Sequence, residues 1–217
     1  TAETIAIPAT TKKAIVTIVS ISGAPFPVKC HVHYIKKAQA RQCLLCRRNV
    51  SMFFKYFSEN YQVRLLTEDD AGDIFCLCEQ NPLYYRHCPP FVTKESICRD
   101  MRALPPGKSV EDKFYLGYFD KDRLVAVMDF IRGYPDPETG FIGFFMTDAA
   151  IQHKGVGSEL IGELCRCLRG QGYRAIRLGW VKGNSQSENF WHKNGFQETG
   201  VTYETDNYTV IVAERKL

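Results

Sequence analysis

From residue 61 onward, apolar and polar positions recur in a legible rhythm. Residues 61–66 alternate and predict a strand. Thr67 then caps an acidic turn, Glu68, Asp69 and Asp70, whose charges suit the partial positive charge at a helix start; Ile74, Leu77 and Cys78 fall on the inward face of that helix. Asn81 and Pro82 end it, and a loop through Tyr84, Tyr85, His87, Pro89 and Pro90 leads to a second helix capped by Thr93. Strands are expected over 113–119, 123–131 and 139–147, and the turns at 120–122 and 135–138 are short enough to make them an antiparallel meander.

After residue 147 the period changes from about 2 to about 3.6. Val156, Leu160, Leu164 and Leu168 form a helical stripe that Gly170 and Gly172 end. A strand at 174–179 comes next, followed by a helix opened by a capping box from Ser185 to Glu188 and stopped at Gly195. Strands at 196–204 and 208–214 close the order. The expected architecture is α/β (α+β), a mixed and mostly antiparallel sheet of about seven strands with flanking helices.

The first 51 residues read differently. They hold a net charge of +7 against −3 for residues 52–217, a contrast that the overall +4 conceals. One strand could run over 14–21. The Lys12-Lys13 pair before it imitates a signal peptide, but the apolar stretch is short and broken by Thr17 and Ser20. Cys30, His31, His33, Cys43 and Cys46 are metal-competent types, and Cys43 to Cys46 has a zinc-knuckle gap. The two histidines stand only two apart, however, so no metal site is assigned. Two purine-rich codons at Arg47 and Arg48, just upstream of Met52, would resemble a bacterial ribosome-binding sequence. Residues 1–51 are therefore taken as an N-terminal extension, a candidate translated leader, and 52–217 as the domain.

Composition narrows the function. Lys and Arg are not clustered in the acidic body, which argues against a nucleic-acid partner, and no run of 18 apolar residues suggests a membrane span. Nine cysteines, an odd number in a chain of this length, fit reduced thiols in the cytoplasm better than a disulfide framework.

The segment Gln152-His-Lys-Gly155-Val-Gly157 lies between a strand end and a helix start, where backbone amides lack sheet and helix partners and can face an anion. Each charge-assisted amide bond contributes about 1.5 to 3 kcal/mol, so several of them outweigh the roughly 0.3 to 1 kcal/mol of the helix-end field. This segment resembles motif A of the Gcn5-related N-acetyltransferase (GNAT) family. Asn184 and the run from Asn189 through Trp191 to Gly195-Phe196 resemble its second signature, and the element order matches from Tyr61 to Leu217.

The resemblance implies the GNAT fold and an acetyl-CoA-dependent N-acetyltransferase acting by direct attack in a ternary complex. Phe145, Met146 and Thr147 would offer strand-edge groups to the pantetheine arm. Gln152, His153, Lys154, Gly155, Val156, Gly157 and Ser158 would hold the pyrophosphate; Asn184 would bond the pantetheine, and Trp191 would lie beside the sulfur. Many members carry a tyrosine at the position of Trp191, and an indole cannot give up its proton near neutrality. Releasing bare thiolate costs only about 2 kcal/mol at pH 7, given a thiol pKa near 8.5, and positioning supplies up to about 7 to 11 kcal/mol. Tyr203 or Tyr208 could serve as acid.

A lysine-like amine with pKa about 10.4 costs roughly 4.6 kcal/mol to deprotonate at pH 7, so a base is needed. Asp129, a lone carboxylate in an apolar strand, is the candidate, and its competing role is a structural ion pair with an arginine. Alternation places it on the face of Val125 and Val127. Tyr84, Tyr85, His87 and Asp129 would shape the acceptor site. The acidic body favours a small-molecule amine over a protein N-terminus or lysine, and Trp191 keeps a non-catalytic acyl-CoA-binding module as an alternative. The last strands are candidates for pairing across a homodimer.

Overall fold

The structure is a computed structural model that describes residues 54–217. The expected strand at 14–21, the signal-like segment, the Cys/His group between residues 30 and 46 and the leader boundary lie outside the described residues. Phe54 and Phe57, two positions the periodicity did not single out, are buried at the start of the described chain, edge-on to Phe114 and Phe130 respectively.

Among the described residues, seven strands form one sheet: β1 (Gln62–Leu65), β2 (Lys113–Asp120), β3 (Arg123–Ile131), β4 (Thr139–Thr147), β5 (Ala175–Val181), β6 (Gln197–Glu204) and β7 (Thr209–Lys216). Their order is β1-β2-β3-β4-β5-β7-β6. All neighbours are antiparallel except β4 and β5, which the long α4 helix (Val156–Gly170) joins as a parallel pair. Leu160, Ile161, Leu164 and Leu168 of α4 are fully buried on one face of the sheet. At about 1.5 to 3 kcal/mol for each such side chain, burial rather than helix propensity docks this helix. Among the described residues, no helix is long and apolar enough to cross a membrane.

The opposite face carries α1 (Ala71–Glu79), α2 (Pro82–His87) and α3 (Lys94–Arg102). α3 starts at Thr93, whose hydroxyl accepts from the Ser96 amide at 3.1 Å while Ser96 Oγ accepts from the Thr93 amide at 2.9 Å. The segment expected as a loop forms the helix α2 instead. The first helix does stop before Asn81 and Pro82, at Glu79, and Pro82 then begins a new one, because a proline at the first helical position loses no intrahelical bond.

Strand alternation divides the core. Phe114, Leu116 and Tyr118 of β2 point toward α4, while Tyr115 and Phe119 point toward α1 and α3. The same alternation fails locally in β3. A bulge shifts the register between Tyr118 and Phe119, so Val125 joins the α4 side and does not share the face of Val127 and Asp129 as expected. A second irregularity shifts the register between Asp129 and Phe130, which lie opposite Phe144 and Ile142, so that Gly143 of β4 falls between them. A Cβ at Gly143 would come within 2.5 Å of Asp129 Oδ2, so the carboxylate fits because residue 143 has no side chain.

Candidate functional site

The strands β4 and β5 pair only from Thr139 to Phe141, opposite Ala175 to Arg177. Beyond that point they splay: β5 goes on alone with β7, and residues 142–147 of β4 face an opening. After β4 the chain makes one turn of 3-10 helix (Ala149–Ile151), opened by Asp148, whose Oδ1 accepts from the Ala150 amide at 2.7 Å and whose Oδ2 pairs with Arg123. The turn that follows places His153 at φ 60 and Gly155 at φ 86, both left-handed. Gly155 is the N-cap of α4, and a Cβ there would meet nothing within 4 Å.

This geometry follows from local chemistry. The amides of Val156, Gly157 and Ser158 have no carbonyl four residues back within the helix, and the left-handed cap turns the backbone so that they open outward. Gly157 matters for a different reason: its Cβ would stand 3.1 Å from the Phe190 ring. A latch fixes the loop from behind. Gln152 Nε2 donates to Asn81 Oδ1 at 2.6 Å and to the Thr147 carbonyl at 3.2 Å, and Asn81 Nδ2 donates to that same carbonyl at 3.2 Å.

The splay holds a cavity of about 450 Å³. Phe145, Met146 and Thr147 line it from β4, and Gln152, His153, Gly155, Gly157 and Ser158 from the turn. Asn184 and Trp191 line it from the α5 side (Ser185–Lys193). Trp191 is only 6% exposed, with Phe190 and Phe196 edge-on at 4.9 and 5.1 Å and Phe145 tilted at 6.0 Å. It serves as wall and core at once. Asn184 caps α5 by accepting from the Ser187 amide at 3.1 Å. The expected capping box at Ser185 is therefore displaced by one residue, since asparagine caps as well as serine does.

A second, smaller cavity of about 70 Å³ lies on the α1 and α3 side. Tyr84 lines both cavities. Two carboxylates line the smaller one. Asp129, 8% exposed, has Oδ2 held by Lys113 Nζ at 2.7 Å and Oδ1 without a partner. The ion pair weighed against a catalytic role is thus present, with lysine in place of arginine. Asp100 from α3 also has a buried Oδ1 without a partner. Burial pushes the Asp100 carboxyl up to about 7, with Arg99 and Lys113 opposing the rise and Asp129 adding to it. Burial raises Asp129 too, against the pull of Lys113. Tyr85 and Tyr208 complete the lining, and Tyr208 Oη receives the Cys88 thiol at 3.5 Å.

Not every expected residue arrives. Lys154 and Val156 stand beside the larger cavity without lining it, and His87 and Tyr203 line neither cavity. Tyr203 sits instead with Val210 and Val212 in a separate small cluster on the β6–β7 ribbon. Asn81, Ser187, Lys193 and Asp100 are lining residues that the sequence reading passed over. Asp100 had a signal: it stands three residues after Ile97 and four after Ser96, both buried, and so falls on the inward stripe of its helix. Elsewhere, His192 Nε2 lies 4.0 Å from both Glu188 and Glu198 on the surface, a group of metal-competent side chains that is mostly exposed.

A profile described as the acetyltransferase (GNAT) family matches residues 74–196. No curated protein matches the chain in sequence. Among solved structures, an acetyltransferase from Thermus thermophilus superposes with a TM-score of 0.59 at 19% identity, over 73% of this chain and 97% of that one. A PaiA N-acetyltransferase from Thermoplasma acidophilum, in complex with coenzyme A, gives 0.54 at 18% identity, covering 72% and 99%. A GCN5-related N-acetyltransferase from Kribbella flavida gives 0.50 at 21%, covering 73% and 99%.

Proposed function

The chain belongs to the GNAT family of acetyltransferases, and on that premise we propose that it transfers an acetyl group from acetyl-CoA to the primary amine of a small molecule by direct attack in a ternary complex. The observation that carries the reading is the 450 Å³ opening between β4 and β5, floored by the left-handed turn at Gly155 and the free first-turn amides of α4. That floor fits a diphosphate. It offers several convergent N–H groups, open space where a Cβ at Gly155 would stand, and a glycine at 157 that lets the helix close on Phe190.

In this reading the amides of residues 155–158 hold the diphosphate. Phe145, Met146 and Thr147 present backbone groups to the pantetheine, Asn184 offers it the amide nitrogen not used in capping, and Trp191 walls off the thioester end. The coenzyme supplies an activated acetyl carbon: the amine nitrogen bonds to it, the carbon–sulfur bond breaks, and of the two protons lost by the ammonium one goes to a base and the other is taken up by the thiolate after it has left.

The base is assigned to the smaller cavity. Asp100, held up to about 7, is poised to take a proton near neutral pH, while Lys113 fixes Asp129 as an orienting carboxylate. No tyrosine is needed as acid. Burial keeps Tyr84 protonated well above its ordinary range, and a bare thiolate leaves at a cost of about 2 kcal/mol.

Titration calorimetry with coenzyme A tests the premise of binding, with Gly157→Val as the control. Saturable binding that the valine weakens at least about tenfold, equivalent to 1.4 kcal/mol, is the expected result. Absence of binding, or a valine variant that binds equally well, refutes it.

A further inference from the structure

We propose that the smaller cavity selects a compact primary amine bearing one positive charge and no acidic group, with Asp100 and Asp129 holding the charge and the surrounding rings packing its hydrocarbon body. The inference rests on the acetyltransferase reading above and narrows its acceptor.

Two carboxylates from different elements, α3 and β3, line one small space, and each has a buried oxygen without a hydrogen-bond partner. Of the two cations that act on Asp100 among the described residues, Lys113 is committed to Asp129 Oδ2 at 2.7 Å. The remaining cation near Asp100 is Arg99, which is exposed on α3 and screened by solvent. With both acids ionised, the cavity therefore lacks one positive charge. Buried acceptors without donors are rare in folded proteins, and a ligand donor satisfies them most directly. A primary ammonium brings three N–H donors on one small head, enough for more than one acceptor.

The other walls are ring faces and edges, among them Tyr85, Phe91, Tyr115 and Phe144. They accommodate an alkyl or aryl body and favour a cation beside them. An acceptor with its own carboxylate or phosphate would bring a like charge against Asp100 and Asp129 where water is scarce. A diamine would bring a second ammonium for which the walls hold no acid. Amino acids, nucleotides and short diamines are excluded on these grounds, and monoamines with apolar bodies are retained.

The test uses the whole chain. Free thiol is followed after mixing acetyl-CoA with benzylamine, butylamine, phenylalanine or putrescine, and calorimetry measures coenzyme A and benzylamine binding separately. Benzylamine and butylamine are expected to turn over, with phenylalanine at least about 100-fold poorer in kcat/KM. Asp100→Asn should weaken benzylamine binding about tenfold or more and leave coenzyme A affinity unchanged. Phenylalanine or putrescine used as well as the monoamines overturns the proposal, as does a coenzyme-loaded protein that shows no saturable affinity for benzylamine. If coenzyme A itself does not bind, the acetyltransferase reading fails independently. The cavity is then judged by benzylamine titration alone: saturable binding weakened in Asp100→Asn supports it, and no binding overturns it.

Discussion

Replacing Asp100 by asparagine should stabilise the protein in mild alkali and leave it almost unchanged in acid. Burial moves this carboxyl from its ordinary 3.8 up to about 7 in the folded chain. As pH rises, the unfolded chain surrenders the proton near 3.8, while the folded chain keeps it to about 7. Between those values the folded state binds more protons, so stability falls with rising pH and the full penalty is in place above about 7. A shift of about three units corresponds to about 4 kcal/mol for a fully shielded group. Asp100 is only partly buried, and solvent screening reduces this to roughly 2 kcal/mol. Asparagine keeps the shape and carries no charge, so it escapes the penalty. Urea denaturation of both proteins at about pH 4 and about pH 8.5 reads the difference, with the variant more stable by roughly 2 kcal/mol at the higher pH and nearly equal at the lower. Carboxyls such as Asp70, held below its usual range by Arg64, pull the opposite way in both proteins and cancel in the comparison. A stability difference that is the same at both pH values, or a wild type that is the more stable in alkali, refutes the burial argument.

Two further outcomes follow from named contacts. Lys113→Met removes the partner of Asp129 and leaves a buried carboxylate unpaired, which should cost about 3 to 5 kcal/mol near pH 7; part of the loss should be recovered in acid, where Asp129 takes a proton, and denaturation curves showing an equal loss at both pH values would contradict this. Asn184→Ala leaves the Ser187 amide uncapped and should cost about 1 kcal/mol, with Asn184→Ser restoring most of it; thermal melts of the two variants that coincide would speak against the cap.

Much of the fold was legible because the chain is locally consistent. Strands at 113–119, 123–131 and 139–147 and the α4 stripe fall within a residue or so of the observed elements. What escaped depended on context that no periodicity carries. Pro82 follows the end of α1 as read, but that it also opens α2, where Tyr84 and Tyr85 pack edge-on, is not carried by the pattern. The bulge that turns Val125 away from Asp129 adds one residue to one strand, which alternation cannot foresee. Of the site, the Gly155 turn and the Phe145 to Thr147 edge were readable as motifs. Asn81 was not, since it acquires its place through Gln152, 71 residues away, and for Asp100 the helix stripe showed an inward position but not the cavity it shares with Asp129.

The hydrogen bonds from Gln152 to Asn81 and Thr147 join the left-handed turn before α4 to the corner between α1 and α2, which carries Tyr84 into both chambers. A ligand that stiffens the turn therefore stiffens the partition between the chambers as well. By thermodynamic reciprocity, whatever factor the first guest adds to the grip on the second, the second returns to the first.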